Sequence, residues 1–288
     1  MKKKMIAGIV TAAMLLMPAT CYAEATASDV FSKMIEGVNN GKSLTADIEL
    51  GADFAEEVSE EKIDNSLSVS IGFIKEPAAL SLSADLSKLE AGIDTFEAYL
   101  STDGASTLNL YANVMGQWMA FTADLSMLGV EDVNTLVADA KVPENEVKEE
   151  EWTVEETDSS FVVTRQVPLS EYPDAADAIL QQAQSMGQVD EEMLPIIEKI
   201  VDAAVVNMQF DVNKDTYALE KIHMDLNDSD IEALNAIDEG TKIVVNDIYM
   251  DITTGFDTLD AIEVPAEALE AEPIDAMQLL AAYMMGQQ

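Results

Sequence analysis

Asp211, Asn213 and Asp215 stand at alternate positions in the stretch QFDVNKDTYALEKI (residues 209–222), with Tyr217 two further on. That is the spacing with which a calcium-binding loop opens. Such a loop also needs glycine at its sixth position, for a sharp turn, and a bidentate acid at its twelfth. Those positions hold Thr216 and Ile222, and the flanking residues alternate as strands do. Asn and Asp hold tight turns by hydrogen-bonding nearby backbone, so the stretch predicts a β-hairpin with at most an adventitious cation site. Other chemistry is sparse. His223 is the single histidine, and alternation puts it on the wetter side of its strand with Lys221 or Asp225. A Ser-His-Asp or Cys-His mechanism would have to be built on that one imidazole, and zinc sites of the usual composition are excluded. No glycines cluster at phosphate-loop spacing. With 55 acidic residues a carboxylate pair for glycoside hydrolysis stays open, yet two tryptophans leave little material for sugar stacking. The inventory predicts no catalytic residues, no cofactor and no metal, and therefore a protein that is not an enzyme.

The N-terminus indicates a destination. Lys2, Lys3 and Lys4 precede the 13-residue apolar run Met5–Met17, then Pro18 and the sequence Cys21-Tyr22-Ala23. The run falls within the roughly 7–15 residues of a secretory signal and below the ~20 a spanning helix needs. Cleavage after about Ala23 is predicted, giving a secreted or envelope-associated protein. A lipidated cysteine would need a branched or leucine side chain three residues before it and a small residue just before it. Pro18 and Thr20 stand there, which disfavours lipidation at Cys21. The remainder has no cysteine, hence no disulfide or thiol chemistry, and must be held by an ordinary core. Net charge is −40, or −43 without the three leading lysines. A charge of that sign lacks the basic footprint of nucleic-acid binding and favours solubility.

Hydrophobic period supplies the elements that must position any site. In ASDVFSKMIEGVNNG, Val30, Phe31, Met34, Ile35 and Val38 share a helical face that Asn39-Asn40-Gly41 ends. Strict alternation follows. Leu44, Ala46, Ile48 and Leu50 lie on one side, then Leu67, Val69, Ile71 and Phe73, then Leu80, Leu82, Ala84 and Leu86, with serines opposite the second and third sets. TFEAYLSTDG, TLNLYANV and QWMAFTADL continue a six-stranded antiparallel meander with one dry and one wet face. Residues 125–141, 169–187 and 190–204 read as helices, 151–167 as strand, and the acidic stretch 143–151 as a solvated loop. Alternation returns from Met208 to Leu226 and over 241–252, with a short last strand at 261–265. Residues 272–288 read as an amphipathic tail helix, too short to span a membrane. Strands, helices, then strands predict an α+β fold with helices over the apolar face of one sheet. Two domains split near residue 145 are the alternative.

Three stretches carry a family resemblance. FDVNKDTYALEKIHMDL resembles the strand–DKKTY–strand hairpin of exported proteins of Gram-positive bacteria, relatives of the LolA and LppX/LprG group of envelope lipid and lipoprotein carriers. LYANVMGQWMAF, through Tyr111, Gly116 and Trp118, resembles that family's Y…G.W hairpin. FDTLDAIEVPAEALEA resembles its ending, through Ile262, Val264 and Pro265. The resemblance covers nearly all of Ser28–Ala271. It implies a curved antiparallel β half-barrel over residues 24–271, with helices covering a concave apolar face and a hydrophobic ligand such as a lipid or acyl chain held between them. The residues expected to line that space are Leu67, Val69, Ile71, Phe73, Leu80, Leu82, Leu108, Leu110 and Trp118. Two other readings stay open: an interaction module of the same fold with a filled core and an acidic surface, and an enzyme using carboxylates alone.

Overall fold

The computed structural model describes residues 25–56, 62–87, 94–102, 106–138, 141–142, 147–168, 204–226, 230–232 and 243–275. The predicted helices at 169–187 and 190–204, most of the tail and the leader lie outside these residues. The first helix, α1 (Ala27–Asn40), starts at Thr26, whose hydroxyl accepts from the Asp29 N–H. Six strands follow as alternation predicts: β1 (Ser43–Glu56), β2 (Lys62–Lys75), β3 (Ala78–Asp85), β4 (Thr95–Thr102), β5 (Thr107–Val114) and β6 (Gln117–Asp124). Each pairs antiparallel with the next. The second set is β7 (Thr153–Glu156), β8 (Ser160–Pro168), β9 (Val205–Asn213), β10 (Leu219–Leu226) and β11 (Ile243–Phe256). β11 runs antiparallel along the whole of β1, from Leu44 opposite Phe256 to Glu56 opposite Ile243. With a short last strand, β12 (Pro273–Asp275), one twelve-stranded sheet results, in the order β12-β6-β5-β4-β3-β2-β1-β11-β10-β9-β8-β7. Among the described residues it does not close into a barrel, because β12 and β7 are its edges.

The core lies where α1 covers β8–β11. Val30, Phe31, Met34 and Ile35 of α1 pack on Phe161 and Val163 of β8, Met208, Phe210 and Val212 of β9, Leu219 and Ile222 of β10, and Ile252 of β11. Phe31 meets Trp152 edge-on at 5.0 Å and Phe210 at 5.4 Å between centroids. A bulge between Leu219 and Lys221 lets Leu219 and Ile222, three residues apart, share the buried face. That irregularity is why the apolar phase of this region slips in the sequence.

Both ends of α1 are held from far along the chain. Glu149 is buried, and its two carboxylate oxygens accept from the Ala27 N–H (3.1 Å) and the Ser28 N–H (2.9 Å). Lys75 donates to the last-turn carbonyls of Val38 (3.2 Å) and Asn39 (2.7 Å). An anion at the amino end and a cation at the carboxyl end complement the helix dipole. The acidic stretch is therefore not simply solvated: Glu149 caps α1, and Glu151 pairs with the buried Arg165 at 2.6 Å.

Three expectations change. Residues 125–141 do not make one helix: a 3-10 turn (Leu125–Leu128) ends at Gly129, with φ 75°, and a short helix α2 (Val133–Ala138) follows. No strand forms at 261–265. Instead the chain leaves β11 as a strap, makes one helical turn, α3 (Ala266–Leu269), and adds Pro273–Asp275 as β12, parallel to β6. Ile274, expected on the tail helix, is thus a strand residue, because the open β6 edge offers ladder hydrogen bonds.

The strap lies on the face opposite α1. A side chain at Gly72 would sit 3.2 Å from Leu259 Cδ1, and Ala268 is fully buried. Asp257 anchors it by accepting from the Lys42 and Ser43 N–H groups, which, against a smaller effect of burial, hold its carboxyl below the ordinary 3.8. A carboxyl lowered by folding stabilises above its unfolded value, and that contribution is lost as pH falls through the folded value. The melting temperature is therefore expected to drop as the solution passes below about pH 4, and to drop less in Asp257→Asn. Thermal scans across roughly pH 6 to 3 check this, and equal slopes would refute the linkage.

Candidate functional site

The face that is buried under α1 continues, in register, across the meander. Ile48 and Ala46 of β1 sit opposite Val69 and Ile71 of β2. Phe73 and Ile71 face Leu80 and Leu82 of β3, which face Leu100 and Ala98 of β4. Leu100 faces Leu110 of β5, and Leu110 faces Phe121 of β6. Leu67 of β2 sits opposite Leu50, and Leu108 opposite Thr102 and Ala123, in the same phase. Eight of the nine expected lining residues thus form one apolar wall.

Trp118 is the ninth, and the register places it elsewhere. It pairs with Asn113, itself opposite Glu97, on the other face, and its ring lies 5.9 Å from that of Tyr99. In GQWMAF both phases carry apolar residues, so alternation alone does not choose between them. The ladder chooses Met119 and Phe121 for the wall, along with Phe96 and Leu100, which the sequence reading omitted although period-two alternation marks them.

Burial divides this single face into two regimes. Beneath α1, Phe210, Val163 and Val212 are completely inaccessible, whereas on the meander Leu50, Leu110 and Met119 stay 39%, 37% and 39% exposed. The other large wall residues are half-buried, with only the small Ala78 and Ala84 of β3 buried there. At one end α2 closes the wall: Val133 and Val137 pack with Ala78, Phe73 and Leu108, and Asn134 Oδ1 accepts from the Ala78 N–H at 2.6 Å.

The chemistry-bearing residues are elsewhere. QFDVNKDTYALEKI is the β9–β10 hairpin: Asn213 Oδ1 accepts from the Asp215 and Thr216 N–H groups at 3.1 and 3.0 Å. Tyr217, with φ 56°, stacks on Phe161 and takes a hydrogen bond from Lys33 of α1. His223 stands on the polar face, its Nδ1 2.9 Å from Asp251 Oδ1, with Lys221 Nζ 2.7 Å from the same oxygen. Burial pushes the Asp251 carboxyl up, but the Lys221 and His223 hydrogen bonds together outweigh it and hold it below 3.8. Among the described residues, no three metal-binding side chains converge and no helix is long and apolar enough to cross a membrane.

No curated protein matches the chain. Among solved structures it is similar to the crystal structure of the Mycobacterium tuberculosis lipoprotein LppX, at 11% identity over 82% of this chain and 97% of that one, with a TM-score of 0.36. A family model matches residues 26–273, nearly the whole described chain, and on that match the protein belongs to DUF6612, a family of unknown function.

Proposed function

We propose that the protein is an exported carrier that holds a hydrophobic ligand, such as a lipid acyl chain, against the apolar wall of β2–β6. One observation carries this reading: the same sheet face is sealed under α1 yet stays half-exposed across the meander. A soluble protein this acidic does not ordinarily leave so large an apolar surface open without a use for it. Leu67, Val69, Ile71, Phe73, Leu80, Leu82, Leu108 and Leu110 are the proposed contacts, with α2 as the closed end. The signal-like leader and the resemblance to envelope lipid carriers support export and cargo of this kind.

Native mass spectrometry of the exported form, incubated with total bacterial lipid extract and re-purified, tests it. A stoichiometric adduct that disappears in Leu82→Trp/Leu110→Trp supports the carrier. A clean apo mass, where a known lipid carrier loads, would sink it and leave a filled-core interaction module.

A further inference from the structure

The face opposite the wall carries an open cleft of about 750 Å³ over β7–β10 and a second of about 340 Å³ over β10, β11, β1 and β2. One register row links them. Thr164 of β8 sits opposite Gln209, Gln209 opposite His223, His223 opposite Asp251, Asp251 opposite Glu49, and Glu49 opposite Ser68. Six strands at ~4.8 Å make a polar strip about 24 Å long.

We propose that this strip is a binding site for a neutral, hydroxyl-rich chain, an oligosaccharide. The site is independent of the carrier reading, since it lies on the other face. Its side chains exclude the competing chemistries in turn. In the first cleft Gln166 Nε2 donates to Asn207 Oδ1 at 3.1 Å and Gln209 Nε2 to Asp211 Oδ1 at 2.9 Å. Each amide has further donor and acceptor positions beyond these, and with the Thr153 and Thr164 hydroxyls the cleft offers donors and acceptors together, as a sugar hydroxyl requires. An apolar ligand finds little to match. An anionic one finds its cations already engaged: Arg165 with Glu151 at 2.6 Å, Lys221 with Asp251 at 2.7 Å. The protein's charge of −40 repels it further.

Nor is the second cleft a cation cage: among the described residues no three carboxylate or imidazole groups converge to hold an ion, and those of the cleft are tied to other partners. Asp47 accepts from the Ser70 hydroxyl at 2.6 Å, Glu49 from the Tyr249 hydroxyl at 3.1 Å, and Asp251 is held by Lys221 and His223. Tyr249 supplies the apolar partner that a sugar ring's C–H face needs. Its ring lies against the backbone of Gly51, where a Cβ would come within 2.5 Å of it. Its register partner Asp225 lines the first cleft and its hydrogen-bond partner Glu49 lines the second, so Tyr249 stands beside both, next to the strip and outside either lining.

The test is titration of the purified protein with chitotetraose, cellotetraose, xylotetraose and maltotetraose, followed by saturation-transfer NMR and calorimetry. At least one should bind saturably with a Kd below about 1 mM. Gln209→Leu and Tyr249→Leu should each weaken it about tenfold or more, while Leu82→Trp on the opposite wall leaves it unchanged. Melting temperatures identify any variant that misfolds, and Gln209→Glu, which preserves size, then takes its place. The proposal is overturned if none of the four saturates at about 10 mM, if folded variants bind like wild type, or if spermine binds where the sugars do not.

Discussion

Phe31→Ala is expected to cost about 3–5 kcal/mol of unfolding free energy, a large part of the roughly 5–15 kcal/mol that holds a typical domain. Phe31 is wholly inaccessible and its ring is wedged between Trp152 and Phe210, with Val30, Met34 and Ile35 of the same helix closing the site. Truncation would leave a cavity ringed by two aromatics fixed on other elements, and neither can collapse into it without leaving its own contacts. The carrier reading adds a contrast. Leu82→Ala lies on the same sheet face but is half-buried, so its cost should stay near ~1 kcal/mol. Urea unfolding with unchanged m-values measures both. A Leu82→Ala loss as large as that of Phe31→Ala would mean that the meander wall is ordinary core, and the proposed ligand surface would be gone.

Glu149→Ala should lower stability by about 2–4 kcal/mol, since it leaves two amide donors unpaired at the buried start of α1. The loss also removes the anion that complements the helix dipole. Glu149→Gln keeps one acceptor oxygen and should lose about half as much. Hydrogen exchange localises the effect: the amides of residues 27–31 should exchange faster in the alanine variant while those of β1 and β2 do not. Uniform acceleration over the sheet would show that the cap is part of the global unfolding unit rather than a local tether.

Much of this architecture is legible in the chain because its physics is local. Side chains alternate across a strand with period two, so Leu67–Phe73, Leu80–Leu82 and Leu108–Leu110 declare a dry face whatever they pack against. The helical stripe Val30–Phe31–Met34–Ile35 does the same for α1, and the turn chemistry of Asn213 and Asp215 marks the β9–β10 hairpin. Tertiary structure decided what depends on partners far away in sequence. The phase of Trp118 is set by its ladder to Asn113, because both phases of β6 are apolar. The role of Glu149 is set by a helix end 122 residues earlier, which composition reads only as one acid among many. Pro273–Asp275 became a strand because β6 presented an unpaired edge, and that demand overrides a weak helical pattern. The packing of Tyr249 on Gly51 and the polar row that runs from His223 through Asp251 to Glu49 arise from the pairing of β11 with both β1 and β10. Period and turn propensity are encoded within a few residues, whereas register and capping are settled only when strands and helix ends meet.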